Sequence, residues 1–212
     1  KSAIISQSEV WGKKGKISNS YAEQENYNQR VHCDFPNHYL VVPSDWHNPD
    51  AVAMIIYYDE SDVTGGETHL VPRVDGNDCC YHTGSDSGTD SDTFPLLKTP
   101  GGRADIPWIN NKGTAEAYLK DKHPDIHSFR ETQLYAREVK GKFHRGTCLF
   151  YRLDLWHRGT PVNPHCIRRV QNLVYKREGC DWINSWNAGA AKDMYDRRQV
   201  RVGSVYIGIK AL

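Results

Sequence analysis

The sequence contains no long run of one charge, no membrane-length apolar run and no internal repeat. Its 212 residues carry a formal net charge of +1, with no basic stripe to serve as a nucleic-acid footprint. The longest apolar run, residues 51–58, is far shorter than the ~20 residues a helix needs to cross a bilayer. No basic-then-apolar leader opens the chain, and its first residue, Lys1, also fits a trimmed chain or a fragment. Cysteine is sparse. The 6 cysteines, at 33, 79, 80, 148, 166 and 180, match no paired zinc-knuckle spacing, and adjacent Cys79 and Cys80 could bridge each other only with strain. The expectation is reduced thiols, a cytoplasmic location, and no nucleic-acid or membrane partner.

What is present is a β-rich globular balance. Hydrophobic residues make up 38% and charged residues 25%, and 12 Tyr with 6 Trp can line a pocket. The length suits a single domain over 1–212. Residues 3–10 and 31–42 read as strands, and the unbroken apolar run 51–58 reads as a strand buried on both faces. Gly65-Gly66 marks a turn before a short strand over 67–71, closed by Pro72. Residues 114–139 read as helical, with Pro124 dividing them into two helices. Thr147, Leu149, Tyr151, Leu153, Leu155 and His157 then alternate along one face of a strand, with Arg152 and Asp154 on the other. Residues 166–176 read as its partner strand, and 188–198 as a closing helix. Residues 74–105, crowded with Gly, Ser, Asp and Thr, read as a long insertion loop over the site, a lid. The fold class expected is mainly β, a sandwich or barrel of jelly-roll type with a few flanking helices.

The motif Val31-His32-Cys33-Asp34-Phe35 places an imidazole and a carboxylate two residues apart. Alternate residues of a strand share a face, so both can reach one metal ion. His157 completes a set of two imidazoles and one carboxylate, which holds one face of a ferrous ion and leaves the opposite positions open. Rivals are weaker. His123-Pro124-Asp125 contains a proline unsuited to a paired strand, His144 sits among Lys and Arg, and His165 lies at a turn beside Pro164. Arg168-Arg169 follow eleven and twelve residues after His157. Iron chemistry of this type draws electrons from 2-oxoglutarate, whose far carboxylate needs a fixed cation, and the planar two-pronged guanidinium supplies one. Strand alternation lets only one of the two arginines point inward; a strand, turn and return strand would bring it beside His157.

The order His32-x-Asp34, Gly65-Gly66-Glu67-Thr68-His69-Leu70-Val71-Pro72, His157 and Arg168 resembles the phytanoyl-CoA dioxygenase family. The resemblance spans roughly residues 30–176. It implies a double-stranded β-helix (jelly roll, cupin-like) and an Fe(II)- and 2-oxoglutarate-dependent dioxygenase. Such an enzyme uses O2, releases succinate and CO2, and hydroxylates or otherwise oxidises a small or medium organic molecule. It further implies that His32, Asp34 and His157 bind Fe(2+) and that Arg168 holds the distal carboxylate of 2-oxoglutarate. Thr68, Tyr39 and Thr160 are candidate cosubstrate contacts by position. Asp34 favours hydroxylation over halogenation, because halogenating relatives carry a small residue there. Two departures accompany the resemblance: only 31 residues precede His32, and Arg73-Val74-Asp75 stands where the family often has Gly-Ser-His.

Two other readings compete: a non-catalytic jelly-roll binding module with a structural or vestigial metal site, and a zinc hydrolase on the same ligands. The hydrolase lacks a separate general base near them. The clusters Trp182–Trp186 and Trp108-Ile109-Asn110-Asn111 can frame a pocket or pack a helix, and neither names a substrate.

Overall fold

The run 51–58 becomes the centre of a sheet. In the computed structural model, which describes residues 3–15, 26–32, 51–75, 78, 80, 109–152 and 155–178, the sequence 51–57 forms strand β2 (Ala51–Tyr57). Its neighbours on either side are β7 (Ile167–Arg177) and β5 (Cys148–Arg152), and β1 (Ala3–Lys14) closes the far edge. A strand paired on both sides and covered on one face needs apolar residues almost throughout, and Ala51, Ala53 and Tyr57 are buried. The second sheet has the order β4 (Val139–Lys140), β3 (Thr68–Leu70), β6 (His157–Gly159). The segment 29–32 extends it beyond β6 through the antiparallel bridge His32↔His157.

Followed along the chain, successive strands alternate between the sheets: β1 in the first, 29–32 in the second, β2 back in the first, β3 and β4 in the second, then β5, β6 and β7 crossing each time. All the pairings are antiparallel. Two sheets wound in this way make a double-stranded β-helix, so the fold is mainly β, as expected from the sequence.

The helical excursion also follows the sequence. Helix α1 (Ser61–Thr64) is a single turn ending at Gly65, whose φ of +63° and ψ of −161° suit glycine alone. Helix α2 (Lys112–Lys122) starts at Asn111, whose side chain accepts from the Thr114 N–H. Pro124 ends the run and begins α3 (Pro124–Phe129) at its first turn, where a missing N–H costs nothing. A π-helical turn (Arg130–Leu134) and a 3-10 turn (Tyr135–Arg137) lead into β4. These helices pack Leu119, Ile126 and Leu134 against Val31, Val71 and Trp156, a core separate from that of Ala51, Ala53, Tyr151 and Val174 in the larger sheet. No helix among the described residues is long and apolar enough to cross a membrane.

Three local expectations need correction. The strand read as ending at residue 10 runs on to Lys14, because pairing with β7 carries it through Gly12 and the charged Lys13-Lys14. The single alternating strand over 147–157 is two strands in different sheets: β5 stops at Arg152, a turn forms with Leu155 N–H donating to the Arg152 carbonyl at 2.9 Å, and β6 starts at His157. Alternation survives within β5, where Tyr151 is buried while Cys148 and Phe150 are exposed. The strand carrying Arg168 therefore does not return beside β6; it lies in the opposite sheet, paired with β1 and β2. His144 is exposed as expected, and His165 lies at the expected turn, exposed and with φ +63°. Cys148 and Cys166 are free thiols, and the buried Cys80 Sγ donates to the Gln133 carbonyl at 3.4 Å. Most of the insertion over 74–105, the strand beyond His32, the Trp182–Trp186 cluster and the helix over 188–198 lie outside the described residues.

Candidate metal and cosubstrate site

His32 and His157 meet because their backbones are paired. Each N–H donates to the other's carbonyl at 2.9 Å. The two imidazole centroids stand 4.7 Å apart, with the Tyr151 ring 5.1 Å from that of His157. The surrounding segment is pinned on both sides: Gln29 N–H donates to the Gly159 carbonyl at 3.0 Å, Gly159 N–H to Gln29 Oε1 at 2.8 Å, and Arg30 N–H to the Asn110 carbonyl at 2.8 Å. Buried Arg130 adds a bond from Nη2 to the Val31 carbonyl at 3.0 Å, tying the helical layer to the residue before His32.

Both rings are held in one tautomer. Nδ1 of His32 lies 2.8 Å from the Arg30 carbonyl, and Nδ1 of His157 lies 2.9 Å from the Leu155 carbonyl. A carbonyl only accepts, so each Nδ1 carries the hydrogen and each Nε2 carries the lone pair of the neutral ring. This backbone lock is how a protein orients imidazoles that bind metal. Asp34 and Tyr39 lie outside the described residues.

A cavity of about 610 Å³ between the two sheets is lined by His32, His157 and Thr68 from the smaller sheet and by Lys13, Arg168 and Asn172 from the larger. That size suits a small molecule with room for a second. Arg168 faces this cavity and Arg169 faces away, which answers the question strand alternation left open. Arg168 Nη1 donates to the Gly66 carbonyl at 2.6 Å, while its buried Nε has no partner among the described residues. Burial pulls the guanidinium below its ordinary pKa, against the opposing influence of Tyr57 and Glu67. Arg169 instead grips Asp59, with Nη2 to Oδ1 at 2.6 Å and Nε to Oδ2 at 3.0 Å.

Thr68 lines the cavity, its Oγ1 sharing a 2.6 Å hydrogen bond with the Tyr57 hydroxyl, whose pKa burial raises. Thr160 is turned elsewhere: its hydroxyl donates to the Glu67 carbonyl at 2.9 Å and lies 3.0 Å from Glu67 Oε2. The sequence reading missed Lys13, Trp11, Tyr27, Gln29 and Asn172, which also line the cavity. Lys13 and Trp11 sit on the stretch of β1 that was not foreseen. The signal was available in Trp11, Lys13 and the exposed Gly12 between them, since alternate residues share a face.

Elsewhere among the described residues, Glu116, His127 and Glu131 bring possible ligand atoms within 4.8 Å of one another. Glu116 is already engaged: Oε1 accepts from Arg130 Nε at 2.8 Å and from the Tyr135 hydroxyl at 2.7 Å, and Oε2 lies 3.2 Å from His127 Nδ1. This cluster reads as an ion-pair network bracing the helices, and none of its members lines the cavity.

No family model matches the chain, and no curated protein does. Several solved structures are similar. SnoK from nogalamycin biosynthesis, a non-heme alpha ketoglutarate dependent carbocyclase, is 13% identical, covering 81% of this chain and 50% of its own, with a TM-score of 0.46. EctD from S. alaskensis, solved with 2-oxoglutarate and 5-hydroxyectoine, is 15% identical, covering 82% of this chain and 44% of its own, with a TM-score of 0.41. The non-heme monooxygenase ThoJ, as a nickel complex, is 11% identical, covering 82% and 44%, with a TM-score of 0.40. The chain spans half or less of the length of these three proteins. The fold rests on the chain's own strand order.

Proposed function

We propose that the chain is an Fe(II)- and 2-oxoglutarate-dependent dioxygenase that hydroxylates, or otherwise oxidises, a small or medium organic substrate. The observation that carries this reading is the His32–His157 pair. Its two imidazoles are bridged through their backbones, each with Nδ1 committed to a carbonyl, at one side of a cavity whose other side holds Arg168. Two nitrogen donors fixed in this way suit a divalent ion such as iron, and Asp34, two residues beyond His32, is the carboxylate the donor set calls for. Bound iron would supply the oxidising power for attack on an unactivated C–H bond, with 2-oxoglutarate and O2 as co-reactants.

The chain's own residues have narrower tasks. His32 and His157 would hold the ion through Nε2, the ring nitrogen left over once Nδ1 faces a carbonyl. Arg168 offers a buried guanidinium, steadied by the Gly66 carbonyl, to the distal carboxylate of 2-oxoglutarate. Thr68 places a hydroxyl on the same wall. Tyr151, Val170 and Ile55 keep part of the lining apolar, which limits water around the reacting centre.

The test is anaerobic titration of the purified protein with ferrous ion and then 2-oxoglutarate, followed by visible absorption. The expected result is one iron per chain and a charge-transfer band that appears only with 2-oxoglutarate. Iron bound without such a band would instead favour a jelly-roll binding module.

A further inference from the structure

Asn172 interrupts an apolar row. Alternation places Val170, Asn172 and Val174 on one face of β7, and both valines are buried. The residue opposite Asn172 on β2 is Ile55, which lines the cavity as Val170 does. A position between two buried valines and against an isoleucine suits a third aliphatic side chain. It holds instead an amide whose Oδ1 is buried and has no hydrogen-bond partner among the described residues. An unpaired buried acceptor weakens the fold, and a group kept in that state calls for something outside the chain to complete it.

Asn172 lines the cavity. With Oδ1 unfastened, its amide can turn about the last torsion and offer either the oxygen or the N–H2 group. Four residues of strand, about 13 Å, separate it from Arg168. A five-carbon diacid held at its far end by Arg168 is shorter than that, so Asn172 is left for a second occupant. Trp11 stands beside it. Trp11 is directly opposite Val170 in the β1–β7 pair, which makes it a diagonal neighbour of Asn172, a separation that an indole bridges. The indole lines the cavity yet is 51% exposed, so it forms rim and not core.

We propose that Asn172 and Trp11 form the substrate subsite and select a hydroxylated cyclic molecule. The amide pairs with a hydroxyl group, which can accept from the N–H2 and donate to Oδ1, while the indole lies against the ring that carries it. Both are specificity-determining residues in this scheme. The inference rests on the function proposed above for calling the ligand a substrate, and the subsite itself can be tested without iron.

The experiment is saturation-transfer NMR titration of the full metal-free chain with phenol and with toluene, which has the same shape and a methyl group in place of the hydroxyl. Wild type, Asn172→Leu and Trp11→Ala are compared, with denaturant melts of each. Leucine branches as asparagine does and carries no polar atom. In Asn172→Leu the ratio of phenol to toluene affinity should fall about three- to tenfold, the scale of one neutral hydrogen bond. Trp11→Ala should weaken both probes and keep the ratio. Asn172→Leu should be at least as stable as wild type, since it removes an unpaired acceptor. An unchanged ratio overturns the proposal, as does the absence of phenol binding at millimolar concentration or unchanged affinity for both probes in Trp11→Ala. Loss of stability or of folding in Asn172→Leu would show that the amide is structural, and overturns it too. Protein loaded with manganous ion is also titrated with 2-oxoglutarate: weaker binding in Asn172→Leu would make the residue a cosubstrate contact, against the proposal. A ratio that falls as expected, in a protein that takes up neither metal nor 2-oxoglutarate, supports the subsite and removes the oxygenase reading.

Discussion

His32 and His157 are the two halves of one antiparallel bridge: 125 positions apart in sequence, they exchange both backbone hydrogen bonds at 2.9 Å. The sheet itself therefore sets the spacing of the two imidazoles. A donor pair fixed by backbone pairing needs little reorganisation to accept an ion, and removing one ring leaves the other in place.

The first prediction follows from that pairing. His157→Ala removes a donor but keeps the N–H and C=O that make the bridge, so the fold should persist and metal binding should not. Circular dichroism should match wild type, and equilibrium dialysis with ferrous ion should show stoichiometric binding lost. Stoichiometric iron retained by His157→Ala would reject the assigned ligand set.

Arg168 and Arg169 are neighbours with opposite tasks, and they should separate cleanly. Arg168→Met removes a charge-assisted partner from the cavity and should weaken 2-oxoglutarate binding by about 10–100-fold, corresponding to roughly 1.5–3 kcal/mol. Arg169→Met removes a half-exposed partner of Asp59, whose Oδ2 still accepts from the Arg169 N–H at 2.7 Å. Its cost should be about 1 kcal/mol of stability or less, with cosubstrate affinity unchanged. Comparable loss of affinity in both variants would mean that the orientation assigned to the pair is wrong.

Gly66 carries a similar test of the wall behind Arg168. Its φ is +74°, and a Cβ built there would lie 2.6 Å from Val162 Cγ2 and 3.2 Å from Arg168 Cδ. Gly66→Ala thus adds backbone strain and presses on the arginine whose Nη1 the Gly66 carbonyl anchors. The variant should lose about 1–3 kcal/mol of stability by denaturant titration. It should also bind 2-oxoglutarate more weakly, by competition against a fluorescent chelate.

The sequence made much of this legible where the signal is local. The apolar run 51–58 suits the centre of a sheet, Pro124 divides a helical region for a steric reason, and Gly65-Gly66 takes φ values that other residues avoid. The choice between His157 and its rivals also needed only local surroundings. What stayed hidden depends on pairing across distance. Nothing in Lys13-Lys14 announces that β7 will hold them in a strand, and nothing in residues 147–157 shows that β5, which ends at Arg152, and β6, which starts at His157, belong to different sheets. Alternation predicts faces correctly only while a strand stays in one sheet. The error left His157 correctly identified, because its neighbours are apolar for a different reason: Trp156 is packed in the helical core, not on the β5 face.

Glu116 links the helices to the site. Its carboxylate neutralises buried Arg130, which in turn holds the Val31 carbonyl beside His32. Arg30 lies near the same cluster, and burial first, then the Arg130 charge, lowers its pKa to about 10. Glu116→Ala should therefore leave two arginines close together without their acid. A loss of about 3–5 kcal/mol is expected, the usual consequence of stripping one partner from a buried ion pair. Thermal unfolding should show a large drop in Tm, partly recovered in Glu116→Ala/Arg130→Met, where one of the two buried arginines that lost their acid is gone. Failure of the second change to restore any stability would show that Glu116 acts through Tyr135 and His127 instead.

Lys13 gives the protein an unusual dependence on alkaline pH. Burial first, then the Arg168 charge, lowers its pKa from 10.5 to about 8. Between those values the unfolded chain holds the proton and the folded chain has released it, so stability increases with pH across this window. Below pH 8 both states are protonated and the folded state carries the full electrostatic cost; above 10.5 that cost is gone. Denaturant melts between pH 7.5 and 10 should thus show a rising contribution in wild type that is missing in Lys13→Met. The sign matters, because general alkaline damage would lower stability instead. A wild-type stability curve with the same pH slope as Lys13→Met would show that Lys13 is not the group in strain against Arg168.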